Sequence, residues 1–391
     1  MRSNYSTITA IDIQVYAELL LQKHLRLKNH GPKCRASLLW TVLLYAAARI
    51  CSLAAACAAL ANAPSDTAAH DALLGLPAFA ELQRRLNRAL QGNLPKAVRR
   101  NRQPMAIDLT LIPYHGQHLY HVDEIYRSQA KSGTSHFHAY ATAYVVRAGL
   151  RFTVGLTSVR QGEALADVIR RLLGQAAKAS VRPRYLLLDR GFCSVDVIRY
   201  LQAGRRAFLM PVPRRGRAAD HPKGPSGTQV FASWKKSGWG QYTMTNAQKR
   251  KATFAVCVKC RNRRGERGRH GREALVYAYG GGLRPSSYRW VQETYRSRFG
   301  IETSYRQMHQ ARIRTCTRDP LLRLLYVGIA LVLRNVWVWF HWERLSERRG
   351  SHRRLNLRCL TFRHLLLCLQ HVAECWLGLS DEINVQRPAG T

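Results

Sequence analysis

The chain has 391 residues, 46% of them apolar, and carries 62 Lys and Arg against 23 Asp and Glu, a formal charge of +39. This length and apolar content exclude a small stapled scaffold and a disordered basic tail; a folded protein this basic is built to meet a polyanion, nucleic acid ahead of an anionic membrane. The 10 cysteines are scattered, with only Cys257 and Cys260 at metal-ligand spacing, which excludes a disulfide framework and reads as reduced thiols.

The opening segment MRSNYSTITAIDIQVYAELL lacks an uninterrupted apolar h-region, so export is not expected and the chain reads as cytoplasmic. Residues 1–100 are Ala/Leu-rich with helical spacing. After SLAAACAALA (52–61) Pro64 breaks the pattern, and Ser65 or Asp66 can cap TAAHDALLG. That pair fits either a DNA-binding helix-turn-helix or an ordinary helical hairpin. Apolar stretches 38–63 and 324–342 mimic membrane spans, but Arg49 and Arg334 inside them mark buried helices instead, and no membrane partner is expected.

From residue 105 the hydrophobic period changes from helical to two. MAIDLTLIPY, HAYATAYVVRAG and LRFTVGLTSV predict three strands, the last two joined at Gly149. An amphipathic helix over 163–178, the strand YLLLDRGF, the helix SVDVIRYLQAG and the strand RAFLMPV follow, giving the order β-β-β-α-β-α-β. Residues 214–289 break this rhythm and read as an inserted β-rich subdomain, with RNRRGERGRHGR either a solvated hairpin tip or a basic finger on DNA, DNA contact being the favoured reading. A helix is expected from Tyr288 to about Ala311, then the apolar helix 320–342 and an Arg-rich end.

In a chain so poor in acids, the places where acids stand are informative. Asp108 lies inside the strand AIDLTLIPYHG, Asp189 ends the strand LLLD before a glycine turn, and Glu302 lies in the helix after the insertion. A carboxylate buried without a partner picks up a proton or costs several kcal/mol, so something positive must face each one. Three carboxylates from two strands and a helix can hold two Mg2+ ions about 3.5–4 Å apart, one activating a water or 3'-hydroxyl and the other stabilising the leaving oxygen.

These residues resemble a known group. The element order, AIDLTLIPYHG, LLLDRGF and above all YRSRFGIETSYRQMH are similar to the DDE transposases of bacterial and archaeal insertion sequences, in the branch with a Y-x2-R-x3-E-x6-K signature. Tyr295, Arg298 and Glu302 match its first three positions, and His309 stands where the family has Lys. The resemblance implies an α/β fold with an RNase H-like core, a mixed sheet with helices packed on it, interrupted by a β-rich insertion and flanked by helical N- and C-terminal regions. It divides the chain into a DNA-binding region (1–100), core (101–213), insertion (214–289), core with the Glu helix (290–345) and a basic helical C-terminal region (346–391).

By the same resemblance Asp108, Asp189 and Glu302 are the catalytic metal ligands, for Mg2+ with Mn2+ able to substitute. Tyr295 and Arg298, two turns and one turn before Glu302 on one helical face, would contact DNA phosphate. Trp290, Trp239 and Trp234 are candidates to stack on a flipped base. A neutral imidazole at His309 can still hydrogen-bond phosphate, but without an assured charge. Lys131, in a small polar turn before the second strand, is a further phosphate-contact candidate. The partners implied are double-stranded transposon-end and target DNA, with a homodimer in the active complex. The alternatives are an inactive DNA-binding remnant or repressor, and a two-metal nuclease without strand transfer.

Overall fold

The computed structural model of the protein describes residues 7–218, 221–264, 270–349 and 352–380. The chain divides into two compact units, one formed by Met1–Pro95, Ile112–His138 and Ser304–Thr391, the other by Lys96–Leu111 and Ala139–Thr303. Of the basic loop RNRRGERGRHGR, residues 265–269 lie outside the described residues, and the flanks pair antiparallel, with Arg264 opposite His270.

The first unit begins with α1 (Ala10–Leu25), α2 (Ala36–Arg49), α3 (Leu53–Ala59), α4 (Asp66–Leu74) and α5 (Phe79–Gln91). A capping box starts α1: the Thr9 hydroxyl accepts from Asp12 N at 3.1 Å, and Asp12 Oδ2 accepts from Thr9 N at 2.9 Å. Helix α2 is apolar on nearly every side and is buried accordingly from Leu39 to Ala48. Ser52 and Ser65 cap α3 and α4 by accepting from Ala55 N (3.1 Å) and Ala68 N (3.2 Å).

In the second unit α6 (Lys96–Arg100) leads into β1 (Gln103–Pro113), whose last two residues belong to the first unit. β2 (Tyr126–Lys131) of the first unit comes next, then β3 (Thr134–Val145), which enters the second unit at Ala139, and β4 (Thr153–Val159), α7 (Leu165–Lys178), β5 (Pro183–Leu188), α8 (Val195–Ala203) and β6 (Phe208–Pro211). The insertion supplies β7 (Gly238–Thr245), β8 (Lys251–Arg264) and β9 (His270–Gly280). Together the strands form a nine-stranded mixed sheet in the order β2-β3-β1-β5-β6-β9-β8-β7, with β4 on β3. The β-β-β-α-β-α-β order is therefore present with one addition, β2, an exposed strand whose sequence YRSQAK has no apolar alternation to announce it.

β1, β5 and β6 run parallel, and Leu186, Leu187 and Leu188 are wholly buried, as strands covered on both faces require. The insertion does not build a sheet of its own: β9 pairs antiparallel with β6, from Phe208 opposite Gly280 to Pro211 opposite Tyr277. Helix α7 lays Val168, Ile169 and Leu172 on this unit's core, and β4 admits it closely at Gly155, where a Cβ would already touch Leu172 at 3.4 Å.

Where one helix was expected from Tyr288 to about Ala311, there are two, α9 (Tyr288–Arg296) and α10 (Phe299–His309). The break has a local cause. The Ser297 hydroxyl donates back to Thr294 O at 2.6 Å, and Arg298 N and Gly300 N bond three residues back, to Tyr295 O (3.0 Å) and Ser297 O (3.2 Å), instead of four.

The first unit resumes within α10 and continues with α11 (Pro320–Glu343), β10 (Glu347–Arg349), β11 (His352–Arg354) and α12 (Phe362–Leu377). α11 is long and apolar enough to cross a membrane by length and composition, and nearly all of it is buried within its unit against α1, α2, α5 and α12. Gly328 permits the approach to α5, because a Cβ there would stand 2.3 Å from Leu86 Cδ2. Trp337 Nε1 donates to Leu360 O at 2.7 Å and Trp339 stacks on Tyr16 at 4.0 Å, so the aromatic run NVWVWFHW is core.

Candidate active site

Parallel pairing of β1 with β5 sets the site. Ile107 is opposite Leu188, so Asp108, inside β1, and Asp189, just past the end of β5, stand side by side on neighbouring segments. Asp108 is largely buried, and its Oδ1 accepts from Leu109 N at 2.8 Å. Asp189 directly precedes the short turn Arg190–Phe192 and is, like Glu302 in the first turn of α10, nearly half exposed.

The positive group that these acids require is Arg298. Its Nη1 donates to Asp108 Oδ2 at 2.8 Å, its Nη2 donates to Glu302 Oε1 at 2.6 Å and lies 3.5 Å from Asp189 Oδ1, and only 5% of the side chain is exposed. The guanidinium also stands 5.4 Å from the ring centroids of both Tyr295 and Phe299. Burial pushes the Asp108 carboxyl up to about 6; Arg298 opposes that shift, and the neighbouring Asp189 and Glu302 charges add to it. Arg298 itself is held cationic: burial disfavours its charge, but Tyr295 and the three acids outweigh it. Tyr295 is buried against Tyr277, 5.4 Å between centroids, and burial raises its phenol well above the usual value.

Of the residues singled out from the sequence, Asp108, Asp189, Glu302, Arg298 and Tyr295 come together in the second unit. The joint between α9 and α10 places Arg298 among the acids and not on a solvent-facing helical surface. Trp290 is half-buried in α9, edge-on to Tyr185 at 6.2 Å; Trp239 stacks on Tyr288 at 4.8 Å, and Trp234 packs on Phe231 at 5.7 Å. Lys131 and His309 belong to the first unit. His309 is at the surface, yet crowding of its ring, then Arg312 and Lys131, push its imidazole down to about 4, so it is neutral at pH 7.

Among the described residues no three His, Cys, Asp or Glu side chains stand ready to share a metal, the loop histidines His115, His118 and His121 included. The three acids close around a guanidinium instead. One feature carries no obvious sequence signal: a cavity of about 420 Å³ lined by Arg190, Pro211, Arg214, Glu273, Tyr277 and Tyr295. Arg190 follows Asp189 directly, the only hint; the rest of the wall depends on the β6–β9 pairing, which brings residues 211 and 277 together.

A family model described as a transposase DDE domain matches residues 99–335. No curated protein matches the chain. Among solved structures, the chain is similar to a piggyBac transposase in a cryo-EM synaptic complex with hairpin DNA, at 11% identity and a TM-score of 0.49, over 95% of this chain and 74% of that one.

Proposed function

This chain belongs to the transposase DDE domain family, and we propose that it is a metal-dependent transposase that cuts DNA at the terminal inverted repeats of an insertion sequence and joins the 3'-hydroxyls to target DNA. The observation that carries the reading is the convergence of Asp108, Asp189 and Glu302 on one buried cation. Three carboxylates against one guanidinium leave two negative charges over (three minus one), and hard carboxylate oxygens are the donors that Mg2+ or Mn2+ takes. Asp108, Asp189 and Glu302 would hold the metal, which supplies an activated water or 3'-hydroxyl and a stabilised leaving oxygen.

The other roles follow from position and charge. The Leu109 N–H fixes the direction of the Asp108 carboxylate. Arg190 and Arg214 on the cavity wall offer cations to backbone phosphates, and the buried Tyr277 and Tyr295 back that wall. The overall charge of +39 suits double-stranded DNA along the rest of the surface. The strand order β4-β3-β1-β5-β6, antiparallel at β3–β4 and parallel from β1 to β6, supports an RNase H-like core over 101–213 and 290–345 with 214–289 inserted. Residues 1–100 would bind DNA and 346–391 support a homodimer, since two transposon ends are cut together. The setting is the cytoplasm, at the nucleoid.

One observation favours a second reading, a DNA-binding remnant or repressor: His309 is neutral where the resembling branch carries a lysine. Incubating the protein with Mg2+ and labelled DNA ends from its own element separates the readings. Nicked and joined products support transposition. Nicks without joining mean a nuclease, and binding without nicks means the remnant.

A further inference from the structure

Arg298 does more than neutralise. Both oxygens of Asp108 are committed, Oδ1 to Leu109 N and Oδ2 to Arg298 Nη1, each at 2.8 Å. Glu302 Oε1 takes Nη2 at 2.6 Å, and Asp189 Oδ1 faces the same Nη2. The guanidinium thus holds one oxygen each of Asp108 and Glu302 and faces one of Asp189, at the point where the three carboxylates converge. A dication brought to them would also stand within a few ångströms of a buried positive charge, a repulsion that a low-dielectric site does not screen.

Two further features mark this seat as one the guanidinium can leave. Its Nε is buried without a hydrogen-bond partner among the described residues. The residue also lies in the joint between α9 and α10, where the backbone bonds are already of the shorter, i to i+3 kind and Gly300 follows two residues on.

We infer that Arg298 and divalent metal compete for the same three carboxylates, so that metal loading and release of the guanidinium are one exchange. Before exchange the arginine holds the acids together; after it, the fork and its unused Nε are free to take a phosphate oxygen of the DNA. Arg298 is on this account a positioning residue that times metal entry, and the inference rests on the reading of the acids as metal ligands.

The test is Mn2+ binding to the full-length, chelator-treated protein without DNA, measured by calorimetry or by the Mn2+ spin-resonance signal. Arg298→Gln is expected to bind Mn2+ about ten-fold or more tightly than the wild type, with Arg298→Lys between the two. Asp189→Asn is included to locate the metal. Equal or weaker binding by Arg298→Gln, with wild-type binding lost in Asp189→Asn, overturns the exchange and leaves the metal assignment standing. Absence of binding in every protein overturns both. If Arg298→Gln does not fold, a crystal structure of the wild type with Mn2+ decides: both Nη atoms beyond hydrogen-bond reach of Asp108 and Glu302 supports the exchange, and their retention beside bound Mn2+ overturns it.

Discussion

Two regions bury arginine, and they do it in opposite ways. In the first unit Arg323, on the apolar α11, donates Nε to Thr317 O at 2.7 Å and lies 4.4 Å from the Tyr114 ring centroid, a cation settled on main chain and an aromatic face. In the second unit Arg298 is surrounded by acids that outnumber it three to one. The first arrangement ties α11 to the segment before it and to the residue after β1. The second gathers three carboxylates, two of them nearly half exposed, around one guanidinium, the arrangement that the proposed metal would use.

The largest expected effect breaks the second arrangement. Asp108→Asn, Asp189→Asn or Glu302→Gln should each lower single-turnover cleavage of transposon-end DNA by about 10³-fold or more, while mobility-shift binding stays near wild type. Because each change removes surplus negative charge, the melting temperature should hold or rise. A cleaving Asp189→Asn protein would remove that residue from the metal site.

Changes in the helical unit should show the reverse pattern. Gly328→Ala pushes a Cβ into Leu86 and is expected to cost about 1–3 kcal/mol in denaturant unfolding without altering the acid site. His138, only 5% exposed and edge-on to Tyr114, has its imidazole pushed down to about 4 by burial and then by Arg323. Its folded value lies below the unfolded one, so the unfolded chain takes up the proton first, and stability present above about pH 6.5 is lost as the pH falls toward 4. The loss should be about 2–3 kcal/mol, and unfolding curves of His138→Phe should lack that share of the pH slope. Smallest of the four, His309→Lys should preserve cleavage or raise it a few-fold by restoring a charge at neutral pH; a large loss would give the histidine a role of its own.

How much of this was legible in the sequence differs along the chain. Asp108 and Asp189 stood out because a strand period carries few acids, and the run LLLD announced a strand buried on both faces. Ser65 as a cap and NVWVWFHW as core were likewise readable from local chemistry. β2 was not, since an exposed strand has no apolar face to betray it. Nor was the break at Ser297, which hangs on one hydroxyl bonding back to Thr294 and redirects Arg298 from an outer helical face to the acids. The cavity beside Asp189 depends on β9 pairing with β6 across a long insertion, a long-range register that no local pattern encodes.

The central claim is that Asp108, Asp189 and Glu302 share a divalent metal, and the most direct measurement is a change of metal preference. Asp189→Cys replaces a hard oxygen with a softer thiolate, so the protein should lose cleavage in Mg2+ and regain a measurable part of it in Mn2+. Cleavage by this variant in Mg2+ at the wild-type rate, or unchanged in the presence of chelator, would contradict the account.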